Sequence, residues 1–379
     1  ASMGAGMVLA GAAACQPGEQ SGPTTGGAGS TEPSVAPSLA SPTPETGWIM
    51  PDEGAAHEGT WMSFAVSDQI WGEELAPGAR EALVRIAEAI SKYEPVRVIL
   101  PPEEEEPEVK GEISFVRAEA DDLWMRDTGP TFVRRGEEVA GVDFNFNGWG
   151  GHQEHAADAK VAAEVCTAAE VERLTTALVL EGGALEVDGE GTAIITESCV
   201  LNKNRNPGRS KAQVEAELQE RLGVTKVIWL PGIAGKDITD GHTDFYARFA
   251  SPGVVVAGRE DDPDSYDYAV TRKHLKILKA ATDAKGRKLA IHVIPGPESI
   301  RDEYASDDFA AGYINFYVCN NAVIAPEFGD KKADKFAVDT LSSLFPDRKI
   351  VTLNIDPIAA GGGGIHCTTQ QEIERSATE

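Results

Sequence analysis

The sequence predicts an α/β fold built by repeating one unit, a helix followed by an apolar strand. Three observations carry this reading. The composition is globular, with 379 residues, 41% hydrophobic and 25% charged, enough to bury a sizeable core. Helical spacing of apolar residues gives way to a short apolar run five times along the chain. Each of those runs stops at glycine or proline.

In chain order, residues 80–93 place Leu83, Ile86, Ala87 and Ile90 on one helical face, and the strand 96–100 follows, broken at Pro101-Pro102. A helix over 160–173 precedes a strand at 176–180, broken at Gly182-Gly183. A helix over 210–222 carries Val214, Leu218 and Leu222 four apart and leads to 226–230, which stops at Pro231-Gly232. Helix 268–284 leads to 289–294 and Pro295-Gly296, and helix 332–345 leads to 349–353 and Asp356-Pro357. Further strands are expected at 113–117, 131–134, 193–196, 254–257, 314–318 and 322–325. Recurrence of one unit suggests a closed repeat architecture with loops converging at one end. The unit starts are unevenly spaced, so an ordinary layered α/β sandwich remains an alternative.

Ahead of these units lies a different kind of sequence. Residues 7–15, Met-Val-Leu-Ala-Gly-Ala-Ala-Ala-Cys, look like the end of a bacterial lipoprotein signal, although the basic residues that usually precede one are missing. Residues 1–15 are therefore expected to be a signal remnant, with Cys15 as the lipid anchor of an exported, membrane-attached protein. If this stretch is not a signal, the expectation is a cytoplasmic protein. Residues 16–47 are rich in Gly, Pro, Ser and Thr and carry only Glu19, Glu32 and Glu45 as charges, which predicts a disordered linker. The catalytic domain is expected at 48–379.

The net charge is -27, and there is no Lys/Arg cluster to neutralise phosphates, so no nucleic-acid partner is expected. A negative field favours encounter with a small cation, though solubility alone explains it equally well. Five cysteines in this length do not make a disulfide framework.

Polar residues with chemical potential cluster at strand ends. After four glycines at 361–364 comes Cys367, expected at the N-terminus of a short helix with Gln370 and Gln371 in its first turn. Helix N-terminal N–H groups stabilise a thiolate. Cys166, Cys199 and Cys319 sit in apolar segments and read as packing residues, a role also open to Cys367. His242 and Asp244 lie two apart on an extended segment and point the same way, which suits a general acid/base beside a carboxylate. Trp124, Arg126 and Asp127 crowd one loop, where an aromatic beside an acid suits a cation. The alternative there is a core tryptophan and an Arg–Asp pair holding a turn. Glu181 closes a strand before a hairpin signal at 188–192. His152 and His155 have no third ligand, so no metal site is expected.

Seven motifs occur in one order: Trp-Met-Arg-Asp-Thr-Gly-Pro (124–130), Phe-Asn-Gly-Trp-Gly-Gly (146–151), Leu-Glu-Gly-Gly (180–183), Asn-Arg-Asn-Pro (204–207), Thr-Asp-Gly-His-Thr-Asp (239–244), Tyr-Ile-Asn-Phe-Tyr (313–317) and Gly-Gly-Gly-Ile-His-Cys-Thr-Thr-Gln-Gln (362–371). Together they resemble the agmatine deiminases and, more broadly, the Porphyromonas-type peptidylarginine deiminase family. The resemblance runs from about Trp48 to the end of the chain. It implies the pentein fold, a five-bladed α/β propeller of ββαβ units with pseudo-fivefold symmetry. It also implies Cys367 as nucleophile, His242 as general acid/base, and Asp127 and Asp244 as the carboxylates that grip a guanidinium. Glu181 would position histidine or substrate, and Trp124 would wall the pocket. No cofactor is implied. The expected partners are a small cationic guanidino substrate, a membrane through the lipid anchor, and a second copy of the chain. Members of the agmatine branch are mostly cytosolic and feed polyamine synthesis, so the lipoprotein-like start raises an exported peptidylarginine deiminase as the alternative. A guanidino-solute-binding lipoprotein and an amidinotransferase are the remaining readings.

Overall fold

The computed structural model describes residues 47–375 apart from residue 307. The expected signal remnant, Cys15 and the linker as far as residue 46 lie outside the described residues.

Sixteen strands form five separate sheets among the described residues. They are β1 (His57–Ser63), β2 (Val96–Leu100), β3 (Ile113–Arg117), β4 (Thr131–Arg135), β5 (Glu138–Asp143), β6 (Glu172–Thr175), β7 (Leu185–Val187), β8 (Thr192–Thr196), β9 (Lys226–Leu230), β10 (Ala247–Ser251), β11 (Val254–Arg259), β12 (Ala290–Pro295), β13 (Tyr317–Cys319), β14 (Ala322–Glu327), β15 (Lys349–Asn354) and β16 (Gln370–Ile373). The sheet orders are β4-β5-β6, β7-β8-β9, β10-β11-β12, β13-β14-β15 and β16-β1-β2-β3. In every sheet the first pair is antiparallel and the second parallel. A parallel pair needs a crossover, and a helix supplies it each time: Asp158–Ala168, Lys211–Leu222, Asp267–Ala280, Lys331–Leu344 and, between β1 and β2, Asp68–Ile90. One ββαβ unit is thus used five times, and the fifth is made from both ends of the described chain. β16 pairs with β1, Thr60 opposite Gln371 and Trp61 opposite Gln370. The closed repeat is the arrangement adopted, and the layered sandwich is not.

Local sequence explains the elements. Ser210 and Gln213 form a capping box at the start of Lys211–Leu222. Gly223 ends that helix at φ 70, where a Cβ would stand 2.8 Å from the Trp48 carbonyl. Helix Asp68–Ile90 starts earlier than the apolar spacing alone indicates, because Ser67 caps it by accepting from the Ile70 N–H. Its buried Leu83, Ile86 and Ile90 pack with Val98 of β2 and with Ile324 and Leu341, so the first and fifth helix–strand units share one core.

Three expectations are corrected. Residues 176–180 are not a strand, and β6 lies just before them. Their backbone groups are satisfied by side chains instead: Asn145 Nδ2 donates to the Thr176 and Leu178 carbonyls (2.9 and 2.8 Å), and Asn206 Oδ1 accepts from the Val179 N–H (3.1 Å). The strand expected at 314–318 is displaced to β13. Gln370 and Gln371 belong to a strand and not to a helix; this strand is polar yet wholly buried, because Glu372 accepts from the Trp61 indole and Gln371 from Arg126.

Candidate active site

The five units deliver their polar side chains from one equivalent place, the segment immediately ahead of the first strand. Asp127 stands before β4 on the short turn Met125–Thr128, and Glu181 stands before β7. His242 and Asp244 stand before β10, at the turn Thr243–Phe245. Asn315 stands before β13, and Cys367 before β16 on the turn His366–Thr368. A repeat that closes brings these five segments together.

They meet at Gly183. A Cβ there would lie 2.6 Å from His242 Nδ1, 2.9 Å from Asp127 Oδ1 and 3.2 Å from Asp244 Oδ2. Three ionisable groups can converge only because this residue has no side chain. The Gly183 N–H itself donates to Asp127 Oδ1 (3.0 Å), and the Trp149 indole donates to Asp127 Oδ2 (2.9 Å).

His242 lies between carboxylates, with Nε2 3.4 Å from Glu181 Oε2 and Nδ1 3.8 Å from Asp127 Oδ2. Burial opposes its charge, but Asp127 and Glu181 outweigh it and raise its pKa well above the ordinary value. Glu181 is desolvated too, yet its donors His242 and Arg205 bring it down to about 2. Arg205 Nε reaches Glu181 Oε1 and Nη1 reaches Asp240 Oδ2, both at 2.8 Å. That second contact holds Asp240 at φ 61, two residues ahead of His242.

Asp244 Oδ2 receives His366 Nδ1 (2.8 Å) and the Cys367 thiol (3.5 Å), while its Oδ1 is buried without a partner. Burial raises the Asp127 pKa; the His242 charge opposes this, and the carboxylates of Asp244 and Glu181 add to the rise. Cys367 is gripped by Asn315, whose Nδ2 donates to Sγ (3.3 Å) and whose Oδ1 accepts from the Cys367 N–H (3.4 Å). Burial, then Asp244 and Asp127, push the thiol well above its ordinary pKa. The expected exposed, helix-activated thiolate is therefore corrected: Cys367 is buried on a single tight turn and rests as a thiol.

Trp124 walls the cavity, tilted against Trp71 with ring centroids 5.7 Å apart. A Cβ on Gly363 would strike the Trp124 ring at 2.1 Å, so the glycine run seen in the sequence lets the loop close over that ring. The cavity encloses about 270 Å³, and Trp71, Trp124, Asp127, His242, Phe245 and Cys367 are among its walls. No lysine or arginine lines it. A larger chamber of about 700 Å³ adjoins it and shares His242, Phe245, Gly361 and Gly362.

All six expected site residues come together here. Arg126 does not form the expected turn-holding pair with Asp127; it reaches Glu53 (3.2 Å), Gln371 (2.8 Å) and the His366 carbonyl (3.3 Å). Cys199 is more than a packing residue, since its thiol donates to Glu181 Oε2 at 3.3 Å. Glu181, Cys199 and His242 have ligand atoms within 4.8 Å of one another, close enough to share a metal. Arg205 already places a positive charge on Glu181 Oε1, which disfavours a second cation in that pocket. Asn315 and Trp149 lay inside motifs read from the sequence without a role, whereas Glu53 gave no signal.

The sequence pattern of the Porphyromonas-type peptidyl-arginine deiminase family matches residues 49–372. A Streptomyces coelicolor protein provisionally named agmatine deiminase is 43% identical over 85% of this chain and 98% of its own. The agmatine deiminase of Medicago truncatula is 38% identical over 86% and 96%. The structure of Enterococcus faecalis agmatine deiminase superposes with a TM-score of 0.82 at 34% identity, covering 90% of this chain and all of that one. With a match spanning nearly all of the described residues and five ββαβ units around one site, this chain is a pentein of the Porphyromonas-type peptidyl-arginine deiminase family.

Proposed function

We propose that this chain is an agmatine deiminase, a hydrolase that converts agmatine and water to N-carbamoylputrescine and ammonia. The observation that carries the reading is the cavity itself. It brings the Cys367 thiol, the His242 imidazole and the Asp127 carboxylate together without a lysine or arginine among its walls, and Asp244 stands beside the thiol with a bare buried oxygen. Relatives and solved structures named for this activity support it.

The chemistry follows from the charges. Asp127 and Asp244 hold the guanidinium by charge-assisted hydrogen bonds and turn its carbon toward Sγ. Burial, with these two carboxylates adding to it, keeps the Cys367 thiol protonated in the empty site. A bound guanidinium neutralises them, so when substrate is in place the thiol releases its proton to solvent, and the sulfur regains one when the C–S bond later breaks. The thiolate adds to the guanidinium carbon, and His242, charged at rest, protonates the departing nitrogen, which leaves as ammonia. Neutral His242 then takes a proton from water. Hydroxide adds to the thiouronium carbon, the C–S bond breaks, and the ureido product leaves. Glu181 fixes the His242 ring, and Asn315 steadies the sulfur.

Agmatine carries no carboxylate, and no lysine or arginine lines the cavity to meet one. A binding-only protein would not need a thiol between Asp244 and Asn315. For location we propose export on a lipid at Cys15, supported by the apolar-then-cysteine pattern at 7–15.

Cys367→Ala should lose turnover while keeping a cooperative thermal transition. Asp127→Asn and Asp244→Asn should each lower kcat/KM by about 100- to 1000-fold. Steady-state kinetics with ammonia detection reads all three, and substantial turnover by Cys367→Ala rules out the covalent route.

The pH profile of kcat/KM should be a bell. Asp127 must be ionised and its pKa is raised, so activity should fall with acid at a pH above the ordinary aspartate value of about 3.9. His242 must be protonated and its pKa is raised, so the alkaline fall should lie above about 6.5. An alkaline limb below that value contradicts the assignment of His242 as the acid.

Agmatine should be hydrolysed far faster than arginine or an arginine peptide when the three are assayed side by side. Trp124→Ala should mainly raise KM, because it removes packing common to ground and transition states. Faster turnover of the peptide would replace this reading with peptidylarginine deimination.

Fractionation of the native host checks the anchor: the protein should sediment with membranes, and Cys15→Ser should move it to the soluble fraction. A soluble native protein overturns export by this route.

A further inference from the structure

The two oxygens of Asp244 have opposite surroundings. Oδ1 is buried and meets no donor, whereas Oδ2 receives His366 Nδ1 at 2.8 Å. The other ring nitrogen of His366, Nε2, lies 2.9 Å from Glu53 Oε2. An ionised carboxylate only accepts, so the ring nitrogen that bonds Asp244 Oδ2 is a donor. Glu53 is fixed in turn by the Val318 N–H (2.8 Å), Arg248 (2.8 Å) and Arg126 (3.2 Å). A continuous buried chain therefore runs from two arginines through Glu53 and His366 to one oxygen of Asp244. His366 itself does not line the cavity.

We propose that His366 is a positioning residue for the substrate cation: by tying Asp244 Oδ2 to Glu53, it leaves Oδ1 bare and aimed at the guanidinium. This rests on the amidine-hydrolase reading above and adds a residue to it. Two features make the role physical. A carboxylate with one oxygen clamped has lost the rotation that would blur a bidentate grip. The clamp also keeps Asp244 ionised: burial opposes its charge, and the His366 hydrogen bond and charge outweigh that, with His242 and Arg248 adding to them. The other groups facing this pair are Asp127 and Cys367 on the Asp244 side and Glu186 on the His366 side.

The amide nitrogen of asparagine falls near the place of Nδ1, and that of glutamine near the place of Nε2. His366→Asn keeps the donor to Asp244, and His366→Gln keeps only the donor to Glu53. Both replace the ring with the same neutral amide group. His366→Gln should lower kcat/KM for agmatine by about 10- to 100-fold, expressed mostly in KM, and His366→Asn should recover much of that loss. Without its donor Asp244 titrates higher and joins Asp127 in setting the acid limb, so that limb should lie higher for His366→Gln than for His366→Asn. Equal losses in the two variants with the acid limb unmoved would overturn the proposal. So would collapse of the fold in both, read by circular dichroism, because His366 would then serve stability. Calorimetric binding of agmatine to Cys367→Ala and to Cys367→Ala/His366→Gln separates this proposal from the hydrolase reading. A wild type without turnover sinks the latter, and equal agmatine affinity in the two proteins sinks the former.

Discussion

Five carboxylates, Glu53, Asp127, Glu181, Glu186 and Asp244, are buried around the site. Each would cost several kcal/mol to desolvate alone. The structure is arranged so that none is alone. Arg248, itself fully buried, spans Glu53 and Glu186, and Arg205 spans Glu181 and Asp240. His366 joins Glu53 to Asp244. Much of the surrounding backbone is tied to these same carboxylates: the N–H groups of Gly183, Phe249 and Val318 each donate to one. Removing one partner would leave an uncompensated charge in a water-poor place, so the network and the fold stand together.

The compensation is deliberately incomplete at the point of chemistry. The thiol rests protonated because it is buried and because Asp244 and Asp127 add their negative charge beside it. The missing positive charge is the one a guanidinium brings. Binding and activation of the nucleophile are then one electrostatic event, and an empty pocket does not expose a reactive thiolate to oxidants or adventitious electrophiles.

Much of this was legible in the sequence, for physical reasons that differ by residue. The crossover helices showed themselves through apolar spacing, as with Leu83, Ile86 and Ile90. Cys367, His242, Asp127 and Glu181 stood out because glycine or proline marked the turns that carry them. Strands whose inward residues are polar were missed: β10 carries Arg248 into the charged centre, and β16 is made of Gln370, Gln371, Glu372 and Ile373. Burial of polar groups there depends on partners tens to hundreds of residues away, which local pattern cannot show. Glu53 is the extreme case, since its four partners come from Arg126, Arg248, Val318 and His366.

The pairing of β16 with β1 has a consequence for how the molecule comes into being. A ribosome makes Asp127, Glu181 and His242 long before Cys367, and the strand that seats the cysteine is the one that closes the circle. A growing chain that has made the carboxylates still lacks the Cys367 sulfur. Catalytic competence therefore arrives in one step, once β16 has been made, and marks a chain in which every preceding blade has already been made.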